Sequence, residues 1–95
     1  MLMFRNYNDP LYKKWRTQVK TRDNYICQWP GCKACKKLQV HHIKRWVDSI
    51  DLRYNIENGI TLCKDHHKLI EGNEVSYEAV FLKIIADNKN KKHDK

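Results

Sequence analysis

The chain has 95 residues, 19 basic and 11 acidic, and carries a formal charge of +8. Its hydrophobic share of 41% supports one thin core, and a chain this short buries only about 60–65% of the surface it exposes when unfolded, so a staple is expected. No apolar run is long enough to span a bilayer, and the positive balance favours a polyanionic partner, of which nucleic acid is the commonest.

The start, MLMFRNYNDP, is too short and too polar for a signal peptide. The expectation is a cytoplasmic protein. Disulfides are disfavoured there, and clustered cysteines more often hold metal.

In chain order, Asp9-Pro10 supplies an N-cap acceptor and a proline at the first helical position. Leu11, Trp15 and Val19 recur at four-residue spacing, which predicts an amphipathic helix over 10–22 with a basic outer side of Lys13, Lys14, Arg16 and Lys20. Tyr25–Gln28 and the alternating run LQVHHI (38–43) read as two strands of a hairpin, joined through the turn-rich WPGCKAC. Residues 44–57 read as a long loop carrying Trp46, Asp48, Asp51 and Arg53, with Trp46 expected in the core. A strand at Ile60–Leu62 leads into a helix over 64–71 closed by Gly72. A last helix over 74–87 presents Val75, Tyr77, Val80, Phe81, Ile84 and Ile85 as a broad apolar face. Residues 1–88 are expected to form one domain and 89–95 a basic, disordered tail.

Four of the five histidines form two doublets, His41-His42 and His66-His67, and three of the four cysteines flank them. Cys27-x4-Cys32 and Cys63-x2-His66 are two two-ligand knuckles, the usual way to build a tetrahedral zinc site. Cys35 offers the rival pairing Cys32-x2-Cys35, which leaves only Lys36 and Lys37 before the strand that carries His41. A single buried cysteine is ordinarily just a small hydrophobe, but four in this pattern are not. Adjacent side chains on a strand point to opposite faces, and His66 and His67 diverge by about 100° around a helix. One histidine of the helical doublet can therefore join the cysteines while its neighbour turns to the strand histidines. The pattern implies two metal centres, one structural and one open.

The blocks RDNYICQWPGC, LQVHHIKRW and ENGITLCKDHHKLI, in that order, resemble the HNH endonucleases, in particular small phage-type members with a zinc knuckle. The resemblance covers roughly residues 15–72. It implies an α+β fold, a small ββα-metal core with a zinc-stapled β-hairpin and flanking N- and C-terminal helices. It also implies cleavage of phosphodiester bonds in DNA to 5′-phosphate and 3′-hydroxyl ends. By the same resemblance His41 and His67 hold the catalytic divalent ion (Mg²⁺, Mn²⁺, Ni²⁺ or Co²⁺), His42 is the general base, and Asn58 holds the loop that orients it. Cys27, Cys32, Cys63 and His66 fall at the structural zinc ligands. Two departures are the Cys-x4-Cys spacing, which leaves Cys35 as a substitute, and His66 where cysteine is frequent, which leaves the order of His66 and His67 open. Lys44, Arg45 and Arg53 around the site, with Arg16, Lys20 and Arg22 of the first helix, are the expected phosphate contacts. Two other readings compete: a non-catalytic zinc-ribbon nucleic-acid-binding module, and an accessory subunit of a phage DNA-packaging complex.

Overall fold

The computed structural model describes residues 8–45 and 50–93. Helix α1 (Pro10–Arg22) has the predicted bounds, and Asp9 caps it by accepting the Leu11 amide at 2.9 Å. Two strands, β1 (Leu38–His42) and β2 (Gly59–Cys63), pair antiparallel with His41 opposite Ile60 and His42 opposite Gly59. Cys63 then N-caps α2 (Lys64–Ile70), so hairpin and helix form a ββα unit. Gly72, at φ +84°, supplies the left-handed residue that turns the chain into α3 (Glu74–His93).

Three expectations need correction. The partner of residues 38–42 is Gly59–Cys63, and Tyr25–Gln28 is not a strand. Asn24 and Tyr25 lie at φ +58° and +55°, which breaks extended pairing, and the Cys27 amide bonds the Ala34 carbonyl at 2.8 Å. The knuckle thus closes on itself and meets β2 through the Gln28 amide on the Thr61 carbonyl at 2.9 Å. Leu11 is 57% exposed, and Tyr12 takes its place beside Trp15 and Val19 in the buried stripe. The last helix runs past 87 to His93, so the segment read as a disordered tail is helical through that residue. Near its end Asn88 donates to Gln28 Oε1 at 2.7 Å, and Lys89 to Glu57 Oε2 at 3.1 Å. On its inner side Phe81 and Ile85 are buried, whereas Val75 and Val80 are exposed. Trp46 and Asp48 lie outside the described residues.

The hairpin is covered on both sides. Tyr12, Trp15 and Val19 of α1 pack with Val40, while Ile43, Ile60, Leu62, Ile70, Phe81 and Ile85 form a second cluster that includes Cys27 and Cys63. Helix α1 approaches β2 so closely that a Cβ on Gly59 would stand 2.6 Å from Val19 Cγ2 and 2.7 Å from the Trp15 ring. Gly59→Ala is therefore expected to cost about 1–3 kcal/mol by overpacking, read as a lowered midpoint in urea with an unchanged slope. A variant as stable as wild type would show that α1 is not seated there.

Asp23, buried just past α1, locks the same contact. It accepts both Arg22 Nε and Nη2 at 2.9 Å and the Thr61 amide at 2.9 Å. The Arg22 guanidinium also donates to the carbonyls of Ile56 and Gly59, each at 2.6 Å. No helix among the described residues is long and apolar enough to cross a membrane.

Candidate functional site

The two knuckles meet where β2 becomes α2. One donor atom from each of Cys27, Cys32, Cys63 and His66 lies within 4.8 Å of all the others. His66 Nδ1 is 3.6 Å from Cys27 Sγ and 3.3 Å from Cys63 Sγ. Tetrahedral zinc, with bonds of about 2.3 Å to sulfur and 2.0–2.1 Å to nitrogen, sets such edges at about 3.5–3.8 Å, so these residues fit a metal ion. Cys35 is exposed and outside the cluster, which selects Cys32 as the second knuckle residue.

Burial pushes the Cys27 thiol up to about 11. The backbone amide of His66, followed by smaller contributions from the Cys27 thiol and the Asp65 amide, holds the Cys63 thiol below its usual range against the opposing effect of burial. Trp29 lies flat on His66, with ring centres 4.6 Å apart and planes 5° apart, and fixes the imidazole from its outer side.

One position further along α2, His67 turns away from the sulfurs toward β1. Its ring centre is 5.8 Å from that of His41, with the planes at 76°. A cation about 2.1 Å from one nitrogen of each ring would hold two ring centres about 5–6 Å apart, so this pair fits a shared divalent ion. Phe81 stands edge-on to His41 at 5.6 Å and closes the site from α3. The Glu71 carboxylate is 3.7 Å from His67 Nδ1. Glu74, in the first turn of α3, is held below the usual carboxylate range by its own amide and that of Gly72, with smaller contributions from His41 and Arg45.

His42 occupies the opposite face of β1, as strand alternation requires. It is 3% exposed and lies under α1, its ring 3.9 Å from the Trp15 ring at 14° and 6.4 Å from that of Tyr12. Its Nε2 is 2.8 Å from the Arg53 carbonyl. A carbonyl only accepts, so Nε2 carries the proton and Nδ1 is the lone-pair nitrogen.

Asn58 anchors the loop that supplies this carbonyl. Its Oδ1 accepts the Lys44 amide at 2.8 Å, and its Nδ2 donates to the carbonyls of Lys44 and Leu52 at 3.1 Å each. Its own carbonyl accepts the Ile43 amide at 3.0 Å. Both ends of the 44–52 segment are thereby fastened to one side chain.

The family model described as HNH endonuclease matches residues 25–72, half of the chain. The chain belongs to the HNH endonuclease family. No curated protein and no solved structure gives a match. The α+β architecture, with its hairpin, α2 and the three-cysteine, one-histidine cluster, agrees with the ββα-metal fold of HNH enzymes.

The cations expected around this HNH site divide into two groups. Arg16 and Lys20 line a groove of about 290 Å³ together with Tyr12, Leu38, Gln39, Val40 and His67. Arg45 is exposed, Arg53 is half-buried, and Lys44 has Glu78 at 3.4 Å. Arg22 is a correction: Asp23 and the carbonyls of Ile56 and Gly59 occupy its guanidinium, so it serves the fold.

Three residues beside the histidines were not singled out for the site in the sequence. Trp29 sits in the knuckle, where proline and glycine drew the reading toward a turn. Trp15 was legible as an apolar helix position, but nothing in the spacing indicated that it meets a histidine. Glu74 carries only the general signal of an acid in a first helical turn.

Proposed function

We propose that this chain is a metal-dependent HNH endonuclease that hydrolyses phosphodiester bonds in DNA, within a single domain over residues 1–88. The observation that carries the reading is the pairing of the His41 and His67 rings at 5.8 Å, one residue along α2 from the cysteine cluster, in a chain of this family. Cys27, Cys32, Cys63 and His66 would hold a structural zinc that joins the knuckle to α2. His41 and His67 would hold the catalytic divalent ion, Mg²⁺, Mn²⁺, Ni²⁺ or Co²⁺; the imidazole pair favours the nitrogen-preferring Ni²⁺ and Co²⁺, while Mg²⁺ or Mn²⁺ would rely on water and phosphate oxygens in the open positions. When bound, that ion supplies Lewis acidity to a phosphate oxygen and positive charge for the developing alkoxide.

The protein's own groups supply the rest. As general base His42 would accept the proton of the attacking water on Nδ1, its Nε2–H being committed to the Arg53 carbonyl, and this requires that Nδ1, enclosed beneath α1 in this structure, be uncovered when DNA binds. The neutral imidazole suits this role near neutral pH. Asn58 keeps the loop, and so the carbonyl, in register with the hairpin. Cleavage would leave 5′-phosphate and 3′-hydroxyl ends.

Arg16 and Lys20, together with Arg45, Arg53 and Lys44 nearer the hairpin, would neutralise phosphates without reading bases. Arg16→Ala and Lys20→Ala are each expected to weaken binding on all sequences alike. Each should also lower the slope of log affinity against log salt by about 1, measured by fluorescence anisotropy on a labelled duplex. An unchanged slope in both variants would remove the groove from the DNA path.

The deciding experiment incubates zinc-loaded protein with supercoiled plasmid and Mg²⁺ or Mn²⁺. Relaxed or linear product that disappears with chelator is expected. Folded protein with one zinc per chain that cuts no DNA with any of the four cations would overturn the proposal.

A further inference from the structure

We infer that Trp15, which lies outside the stretch matched by the family, is a positioning residue for His42: it sets both the plane of the imidazole and the place of the carbonyl that fixes its tautomer. The inference rests on the reading of His42 as general base.

An imidazole on a strand can turn about χ2, and a half-turn exchanges a nitrogen edge for a carbon edge. A hydrogen bond at one ring nitrogen restrains that end but leaves the plane free to tilt. The indole face, 3.9 Å away and within 14° of parallel, removes this freedom. The same indole donates its Nε1 proton to the Asn55 carbonyl at 2.8 Å. Asn55 in turn accepts the Glu57 amide on its side chain at 2.8 Å, which fixes the turn that follows. Arg53, two residues earlier, presents the carbonyl that receives His42 Nε2. One side chain thus holds the ring by its face and the loop by its backbone.

The seat of the indole is built into the hairpin register. Gly59 is the residue opposite His42, and a Cβ there would come within 2.7 Å of the Trp15 ring. The missing side chain on β2 is what lets the indole settle low enough to lie on the histidine of β1.

Two variants separate positioning from filling. Trp15→Phe keeps an aromatic face but loses the Nε1 donor to the Asn55 carbonyl, and Trp15→Met fills the space with a flexible apolar chain that has neither. Expected for Trp15→Phe, which keeps the face and loses the loop contact, is an intermediate fall in kcat of about 10-fold. For Trp15→Met it is a fall in kcat of about 100-fold with KM within about twofold, the scale of loss when a reacting group is misplaced by an ångström. Long-range ¹H–¹⁵N spectra of the zinc-loaded protein provide a readout independent of cleavage. Wild type should show His42 as one tautomer with the proton on Nε2, Trp15→Phe chiefly that tautomer, and Trp15→Met an even mixture. A folded Trp15→Met with wild-type kcat, or with a single Nε2-protonated His42, overturns the inference. So does a wild-type His42 protonated on Nδ1 alone, a result that needs no variant to fold. If wild type cuts no DNA while the tautomer responds as described, the nuclease reading falls and the positioning role stands.

Discussion

Cys63→Ser is expected to abolish cooperative folding. Serine is itself a favoured N-cap, so the start of α2 loses nothing by the change and the effect isolates the sulfur. Structural zinc sites are worth about 10–16 kcal/mol in small zinc-finger peptides. A domain of ordinary stability has only about 5–15 kcal/mol in total. Removing one donor therefore takes away more than the hairpin and its thin core can replace. Thermal melts followed by circular dichroism should lose their sigmoidal transition, and metal analysis should fall from one zinc per chain toward none. Prolonged chelation of the wild type should give the same spectrum. Burial makes the direction of the effect plain: without a cation the Cys27 thiol is held protonated, up to about 11, and deprotonating it is part of what zinc binding accomplishes. A serine variant that melts like wild type would remove Cys63 from the ligand set.

His42→Gln is expected to leave a folded, zinc-containing protein that cuts DNA about 10²–10⁴-fold more slowly, the usual contribution of a positioned general base. Glutamine keeps an amide N–H that can reach toward the Arg53 carbonyl but offers no basic nitrogen at neutral pH. Alanine is the poorer test, because the ring is 3% exposed beneath Trp15 and its loss would leave a hole at the α1 interface. Plasmid nicking at saturating Mn²⁺, with melting temperature measured alongside, separates the two effects. Full activity in the glutamine variant would mean that another group takes the proton.

Much of this architecture was legible in the residues. Asp9-Pro10 and Gly72 marked helix ends through backbone demands that only certain residues meet, a side-chain cap in one case and φ +84° in the other. Knuckle spacing and the helical period indicated that cysteines of the knuckle join Cys63 and one histidine of the helical doublet while the other turns to the strand; the choice of Cys32 over Cys35, and of His66 over His67, came only with the fold. Strand pairing was harder. Tyr25–Gln28 has the composition of a strand, and of the two positive-φ residues that divert it only Asn24 is of a type that favours the left-handed region, whereas Tyr25 carries no such signal. Likewise Leu11 and Tyr12 are neighbours about 100° apart on one helix, and which of them is buried depends on where the hairpin lies. Arg22 read as one more cation of a basic helix. Only the fold brings the carbonyls of Ile56 and Gly59 to it.

His66 and His67 are consecutive on a helix of seven residues, short enough to have little rigidity apart from what its neighbours impose. Whatever loosens His66, the member of that doublet that joins the cysteines, also displaces its twin. In a partly demetallated preparation, turnover should therefore track the zinc-replete fraction and not total protein, with the staple acting as a licence for the chemistry one residue away.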